Sequence, residues 1–225
     1  MAAWIFHLRA AEMVLASLPE QPETPSDRLH WYMGNLAPDC GVPVGFAEYV
    51  PPKDITHFKK DGRYICPDTF ADAYLSNDDM DTERFWFCLG YYTHLAVDVF
   101  WVKNVLHPEK ERFAALLARD KKAFYDLVKA DWYDQEILWL GERYTAGESF
   151  APLELLFRQT EFPNRYLDFF PADAFTLRLA SLREQYAPDA VLPQLDRVRR
   201  EYPVLSPAAE EELLDRFVKT FSYIR

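Results

Sequence analysis

The segment from Phe85 to Val102 constrains the fold most, because only His94 and Asp98 among its residues are strongly polar. A stretch of this length could cross a bilayer, but an aspartate at the membrane centre costs roughly 2.5–3.5 kcal/mol. No second apolar span is present that could shelter that charge. We therefore predict a buried core helix over residues 82–106, capped by Asp81, with the rest of the fold packed around it.

Helical periodicity recurs along the chain, and it predicts an all-α fold in a single domain over residues 1–225. Ser26 or Asp27 is expected to cap the second helix, Gly34 to end it, and Asp131 to cap a later one. The other helices are expected at 3–18, 26–33, 68–76, 109–118, 121–129, 132–144, 151–160, 172–186, 189–201 and 207–223, the last capped by Ser206.

Residues 37–67 differ from the rest of the chain. They contain five of the 16 prolines and three of the seven glycines, and they show little helical periodicity. Irregular segments of this length inside a compact domain usually carry function. We therefore expect part of the functional site to lie here.

The composition excludes several classes of function. The net charge of −11 argues against general binding to nucleic acids or to anionic membranes, which need a basic surface. The seven glycines form no G-x-G pair, so the dinucleotide-binding fingerprint and the kinase glycine-rich loop are absent from the sequence, as is the P-loop. The partner expected is a small molecule, without nucleic acid and without stable membrane insertion, and the oligomeric state is left open.

The cysteines and the first residues indicate the compartment. Three cysteines without C-x-x-C spacing fit neither a disulfide framework nor a zinc knuckle, which favours a reducing environment. His7, Arg9 and Glu12 interrupt the stretch where a secretion signal would need an apolar run. A cytoplasmic location is therefore expected.

The sharpest local feature is the pair His94 and Asp98. Residues four apart share one face of a helix, and Gly90 lies one turn earlier on that face, where it could leave room for an approaching group. A buried imidazole and a buried carboxylate cost free energy unless they are paired. The two side chains could bond to each other, or both could bind a metal ion, and the pair alone leaves both interpretations open.

Three further residues could complete a metal site. Asp39 follows a proline in the irregular segment, His57 lies in the same segment, and His7 lies on the first helix among small residues. Each alone has an ordinary explanation as a turn aspartate, a solvated histidine or a core histidine. Together with His94 and Asp98 they offer nitrogen and oxygen ligands suited to Zn²⁺, Mn²⁺ or Fe²⁺.

The order of these residues resembles a known family. His7 lies in FHLRAAE, Asp39 in GNLAPD, His57 in THF, and the last two in GYYTHLAVD. This arrangement resembles the zinc-dependent phospholipase C family, related to the phospholipase C/P1 nuclease group, and especially its short bacterial branch. The resemblance covers residues 4–145 and implies an all-α fold with a zinc cluster. It implies that Asp39, His57, His94 and Asp98 hold one ion, and that His7 serves a second, with Asp98 bridging.

The chain departs from the family at the remaining ligands. Secreted members use an N-terminal tryptophan as a ligand, whereas Trp4 here follows three other residues. Their third ion uses two later histidines and a glutamate, whereas this chain has only His107, with Glu111 four residues on. We expect one or two divalent ions, zinc before manganese or iron, and leave open whether His107 and Glu111 form a further site.

The expected activity is hydrolysis of a phosphomonoester or phosphodiester. A metal ion lowers the pKa of bound water to about 7 and stabilises negative charge on phosphoryl oxygens. Asp39 is the candidate general base, because a loop carboxylate beside the metal could accept the proton of the water. Lys53, Lys59 and Lys60 in the same segment could meet the anionic substrate.

Other classes of protein compete with this interpretation. A non-catalytic helical binding or structural protein with a degenerate metal site would explain the missing ligands of a third ion. The five retained ligand residues argue against it, because a decayed site has no physical reason to keep costly buried polar groups. No histidine is followed by aspartate, and no Glu-x-x-His occurs, which disfavours HD-type phosphohydrolases and di-iron proteins.

Overall fold

A computed structural model describes residues 3–45, 48–76, 80–199 and 201–221. Helices α1 to α12 are Trp4–Ser17, Pro25–Leu36, Lys53–Thr56, Pro67–Tyr74, Thr82–Trp101, His107–Arg112, Ala114–Arg119, Lys121–Thr145, Ala151–Phe157, Ala174–Tyr186, Pro188–Val191 and Pro207–Thr220. Two antiparallel hairpins are formed by β1 and β2 (Val42–Gly45 and Glu48–Val50) and by β3 and β4 (Lys59–Lys60 and Tyr64–Ile65). The all-α prediction is confirmed, since these short strands lie only in the irregular segment within the described ranges.

Helix α5 is the buried centre of the fold, as predicted. The Asp81 side chain accepts a hydrogen bond from the Arg84 backbone N–H and caps the helix. A π-helical turn, Val102–Leu106, follows it, so the predicted range 82–106 is helical throughout. None of the helices in the described ranges is both long and apolar enough to cross a bilayer.

Two glycines let α2 pack against α5 with their backbones in contact. A Cβ atom on Gly34 would lie 2.1 Å from the carbonyl oxygen of Phe87, and one on Gly90 would lie 2.3 Å from that of Trp31. The prediction that Gly34 ends α2 is therefore wrong, because the helix continues to Leu36 so that this contact can form. The space expected beside Gly90 is likewise filled by α2 rather than by a ligand.

The predicted cap of α2 also differs. Thr24 is the N-cap residue: its side chain accepts a hydrogen bond from the Asp27 N–H, and the Asp27 carboxylate accepts one from the Thr24 N–H. This reciprocal arrangement satisfies two backbone donors. Asp27 therefore takes part in the cap from the third helical position, and Ser26 instead donates to Glu83 over 2.6 Å.

Helix α8 is continuous where the sequence predicts a break. Asp131 is buried within it, and its Oδ2 accepts a hydrogen bond from the backbone N–H of Val204 over 2.7 Å. Its Oδ1 lies 2.9 Å from Nη2 of Arg199. Asp131 therefore ties α8 to the chain preceding α12 and is not an N-cap. Ser206, in contrast, caps α12 as predicted.

Other predicted bounds need smaller corrections. The helix expected at 109–118 is two short helices, α6 and α7, separated at Phe113. The helix expected at 189–201 is α11 followed by a 3-10 turn, Leu192–Arg197, since prolines occupy both of these short segments. Residues 222–223, the end of the last predicted helix, lie outside the described ranges.

A buried glutamate on α8 fixes the start of α1. No side chain caps α1 from the N-cap position itself. Instead Oε1 of Glu136 accepts a hydrogen bond from the Ile5 N–H over 2.5 Å, and Oε2 accepts one from the Tyr186 hydroxyl, also over 2.5 Å. Because helix N-termini present unpaired backbone N–H groups, this carboxyl group anchors α1 and with it His7.

Candidate metal centre

The structure brings together all five residues that the sequence predicts as metal ligands. His7 comes from α1, Asp39 from the 3-10 turn after α2, His57 from the end of α3, and His94 and Asp98 from one face of α5. All five side chains are buried. Residues separated by up to 91 positions thus meet where α1, α5 and the irregular segment converge.

Asp98 lies at the centre of this group. Its Oδ1 lies 3.4 Å from Nε2 of His7, and its Oδ2 lies 3.4 Å from Nε2 of His57 and 3.7 Å from Nε2 of His94. Oδ1 of Asp39 lies 3.5 Å from the same His57 nitrogen. Two sets, His7–Asp39–His94 and His57–His94–Asp98, each place three ligand atoms within 4.8 Å of one another. The arrangement has the size of a site for one or two ions.

His7 and His57 are held in the neutral form, which is the form that binds metal. Burial, reinforced by the neighbouring His94, lowers the pKa of His7 to about 4. Burial also lowers the pKa of His57. The rings of His7 and His94 stack with their centroids 3.7 Å apart and their planes 3° from parallel, an arrangement that two imidazolium cations would oppose by repulsion.

Outer hydrogen bonds orient two of the rings. Nδ1–H of His94 donates to the backbone carbonyl of Asn35 over 2.7 Å, so Nε2 of that ring carries the lone pair. Nδ1 of His57 lies 2.9 Å from the hydroxyl of Thr56. The Nε2 atoms of His7, His57 and His94 are buried and have no hydrogen-bond partner among the described residues. Buried polar atoms of this kind need a partner, and a divalent cation fits this donor set.

Both carboxylates are ionised. Burial alone would raise the pKa of Asp98, but the three neighbouring imidazoles favour the ionised form and hold that pKa well below its usual value. Burial would likewise raise the pKa of Asp39, and the ammonium group of Lys53 is the main cause that brings it below its usual value. Negatively charged oxygens and neutral imidazole nitrogens together are the ligands that zinc prefers.

The three lysines suggested as substrate contacts have different surroundings. Nζ of Lys53 lies 2.9 Å from Oδ1 of Asp39, so this lysine adjoins the group. Lys59 pairs instead with Asp54 at 2.9 Å, and Lys60 is exposed in β3. Of the three, only Lys53 also lines the cavity next to Asp39.

The other residues considered in the sequence lie elsewhere. His107 and Glu111 are exposed on α6 and belong to neither ligand set among the described residues. Asp134 pairs with Arg199. Nδ1 of His30 lies 2.8 Å from the Ser26 carbonyl oxygen, and its ring packs on Phe162, so this histidine has a structural role.

Sequence reasoning missed the residues that orient the ligands. Asn35 acts through its backbone carbonyl, which has no signature in sequence. Thr56 directly precedes His57, and a hydroxyl beside a candidate ligand was the one available signal. Glu136 anchors α1 from more than a hundred residues away, and only the tertiary structure reveals that contact.

Comparison with known proteins agrees with this geometry. The family model described as zinc dependent phospholipase C matches residues 6–157. The chain belongs to the zinc-dependent phospholipase C family. The matched range includes all five residues of the group, most of α1, and helices α2 to α9. No curated protein and no solved structure matches the chain. Zinc is the cofactor of this family, and the five residues are the candidate site for it. Membership also favours a metal-dependent hydrolase.

Proposed function

We propose that the chain hydrolyses a small phosphate ester, a phosphodiester or a phosphomonoester, at this metal centre. The observation that carries the proposal is the position of Asp39. It belongs to the buried group of ligands and also lines an open cavity of about 200 Å³. A substrate in that cavity would therefore lie next to the metal centre. Zinc, when bound, supplies an acidified water and neutralises negative charge on phosphoryl oxygens.

The ligands divide naturally between two positions. Asp39, His57, His94 and Asp98 would hold one ion, and His7 with Asp98 would hold a second. Asp98 supports this assignment because its two oxygens face different histidines, Oδ1 toward His7 and Oδ2 toward His57. One carboxylate can then serve both positions.

Asp39 is also the candidate general base, since it is the predicted ligand that lines the cavity. A carboxyl group with a lowered pKa is a good ligand and a weaker proton acceptor. Binding the metal is therefore the principal role of Asp39. Proton transfer to its carboxylate would require the ion pair between Lys53 and Asp39 to break. A cytoplasmic location and a substrate other than nucleic acid stay predictions from the sequence.

The deciding experiment is elemental analysis of protein purified without chelator and without a metal-binding tag. We expect about one to two equivalents of zinc in the wild type and none in His94→Ala/Asp98→Ala. The matched control is His107→Ala/Glu111→Ala, which removes the same kind of pair, four residues apart, from the surface. It should keep the wild-type zinc content.

Activity is then measured with nitrophenyl phosphate and bis(nitrophenyl) phosphate. Turnover by the wild type and the control, lost in the His94/Asp98 variant, supports the proposal. Protein that neither contains nor takes up zinc would overturn it and favour a non-catalytic helical protein with a degenerate site. Circular dichroism of the double variant establishes that lost zinc does not reflect an unfolded chain.

A further inference from the structure

The cavity beside Asp39 has an unusual charge for this chain. The chain carries a net charge of −11, yet the cavity is lined by three cations and one carboxylate among the described residues. The carboxylate is Asp39, which the metal would neutralise. The cations are Lys53, Lys129 and Arg178. We call this space the cationic cavity.

Two of the cations are fixed at the edge of the metal centre. Lys53 contacts Oδ1 of Asp39, and Nη2 of Arg178 donates to the backbone carbonyl of the same residue. The guanidinium carbon of Arg178 also lies 4.1 Å from the centre of the Trp4 ring, a cation–π contact that stabilises its position. Its Nε is buried without a hydrogen-bond partner among the described residues. With these contacts Arg178 places a positive charge at the wall of the cavity.

The third cation comes from a different helix than Arg178. Lys129 lies on α8, one turn before Tyr133, and both residues line the cavity. Its side chain is exposed. An exposed ammonium on the wall of a cavity can bind an anion at little cost in desolvation.

The remaining walls are mainly aromatic, from Trp4, Tyr49, Trp132, Tyr133 and Tyr186. Aromatic walls alone would suit a quaternary ammonium group. Here three cations share the space, so a positively charged alcohol would meet repulsion from like charges.

We propose that the cationic cavity binds a second anionic group of the substrate, a carboxylate or a phosphate on the alcohol of the ester. This proposal rests on the function proposed above and names its substrate class. The phosphoryl group to be hydrolysed would lie at the metal centre beside Asp39, and the second anion would contact Lys129 and Arg178. The cavity thereby selects esters of anionic alcohols over esters of cationic alcohols.

The test measures binding, with two phosphonates that cannot be hydrolysed. Carboxyethylphosphonate and aminoethylphosphonate have the same chain length and differ in the charge of the terminal group. Calorimetry with zinc-loaded protein should show the carboxylate probe binding about tenfold more tightly, or better, because bonds to charged groups are the stronger ones. Equal affinity for the two probes, or preference for the amine, would overturn the proposal.

Lys129→Gln tests whether the cationic cavity causes the preference for carboxyethylphosphonate. We expect it to weaken binding of carboxyethylphosphonate about tenfold and to leave aminoethylphosphonate unchanged or slightly tighter. Lys121→Gln is the matched control, since Lys121 is exposed on the same helix and does not line the cavity. A preference that survives Lys129→Gln intact would overturn the assignment of Lys129.

This test is independent of the test of the proposed function. Zinc-loaded protein that hydrolyses bis(nitrophenyl) phosphate but does not discriminate between the phosphonates would refute the cationic cavity alone. Protein without zinc and without turnover would refute the proposed function, whichever probe it binds. Lys129 lies outside the group of candidate ligands, so Lys129→Gln should keep the wild-type zinc content. Measuring that content shows that any change in phosphonate binding does not come from lost zinc.

Discussion

His94 donates a hydrogen bond from Nδ1 to the backbone carbonyl of Asn35 over 2.7 Å, which joins helix α5 to α2 directly beside the ligands. This bond fixes the tautomer of His94 and aims Nε2 at Asp98. It depends on the close approach of the two helices, which Gly90 allows. The packing of two helices therefore determines the orientation of a candidate metal ligand.

Gly90→Ala should disrupt this relationship. The added Cβ would lie 2.3 Å from the carbonyl oxygen of Trp31 and 3.1 Å from the backbone nitrogen of Asn35, so α2 must move away. We expect a loss of about 1–3 kcal/mol in the free energy of unfolding and weaker zinc binding, measured by denaturation and by competition with a chromophoric chelator. Gly141→Ala is the control, because its Cβ would crowd Leu195, outside the ligand group. Equal zinc affinity in the two variants would contradict the link to His94.

Thr56 provides a more local test of ligand orientation. Its hydroxyl lies 2.9 Å from Nδ1 of His57 and is buried with it. Thr56→Val removes the hydroxyl at nearly constant volume and should lower zinc affinity roughly ten- to a hundredfold. Thr56→Ser keeps the hydroxyl and should restore most of that affinity. If the Thr56→Val and Thr56→Ser variants bind zinc with equal affinity, the Thr56 hydroxyl does not orient His57.

The residues of the candidate metal centre could be singled out from sequence because they are chemically costly where they occur. His94 and Asp98 interrupt an apolar helix, and such groups need partners. His7, Asp39 and His57 indicate a metal site only when they are considered together, since each alone has an ordinary explanation. Their ligand role stays a prediction until zinc is measured.

Tertiary contacts explain what the sequence could not provide. Asp131 has the residue type of an N-cap but is buried inside α8, where it accepts backbone hydrogen bonds from a distant segment. A glycine at position 34 suggested a helix end, and one at position 90 suggested room for a ligand. Both glycines instead allow close contact between α2 and α5. The assignment of residues 1–225 to one domain stays a prediction.

Lys53 should oppose metal binding. Its ammonium lies 2.9 Å from Oδ1 of Asp39, the oxygen that also faces His57, so it neutralises a predicted ligand and repels a cation. Lys53→Met should therefore tighten zinc binding, by about tenfold, even though it removes a cation from the substrate cavity. Lys59→Met is the control, since Lys59 pairs with Asp54 instead. Weaker zinc binding in Lys53→Met would show that the lysine supports Asp39 rather than competing for it.

Glu136 should make stability depend on pH. Burial raises the pKa of its carboxyl to about 8, although hydrogen bonds from Tyr186 and from the start of α1 oppose that shift. A raised folded-state pKa contributes stability that is fully present below the unfolded value, near 4.5, and is lost as the pH rises through about 8. The full loss is at most about 5 kcal/mol by linkage. The carboxyl of Glu210, whose pKa burial raises to about 7, acts in the same direction.

Glu136→Gln isolates this contribution, because the amide keeps an acceptor for the Ile5 N–H and does not titrate. We expect the stability of the wild type relative to this variant to decrease steadily between about pH 5 and pH 8, measured by chemical denaturation at each pH. The exposed Glu184→Gln should show a difference that does not vary over this range. A pH-independent difference for Glu136→Gln would mean that the carboxylate is already ionised when it holds the start of α1, and that its negative charge, rather than a neutral acid, anchors His7.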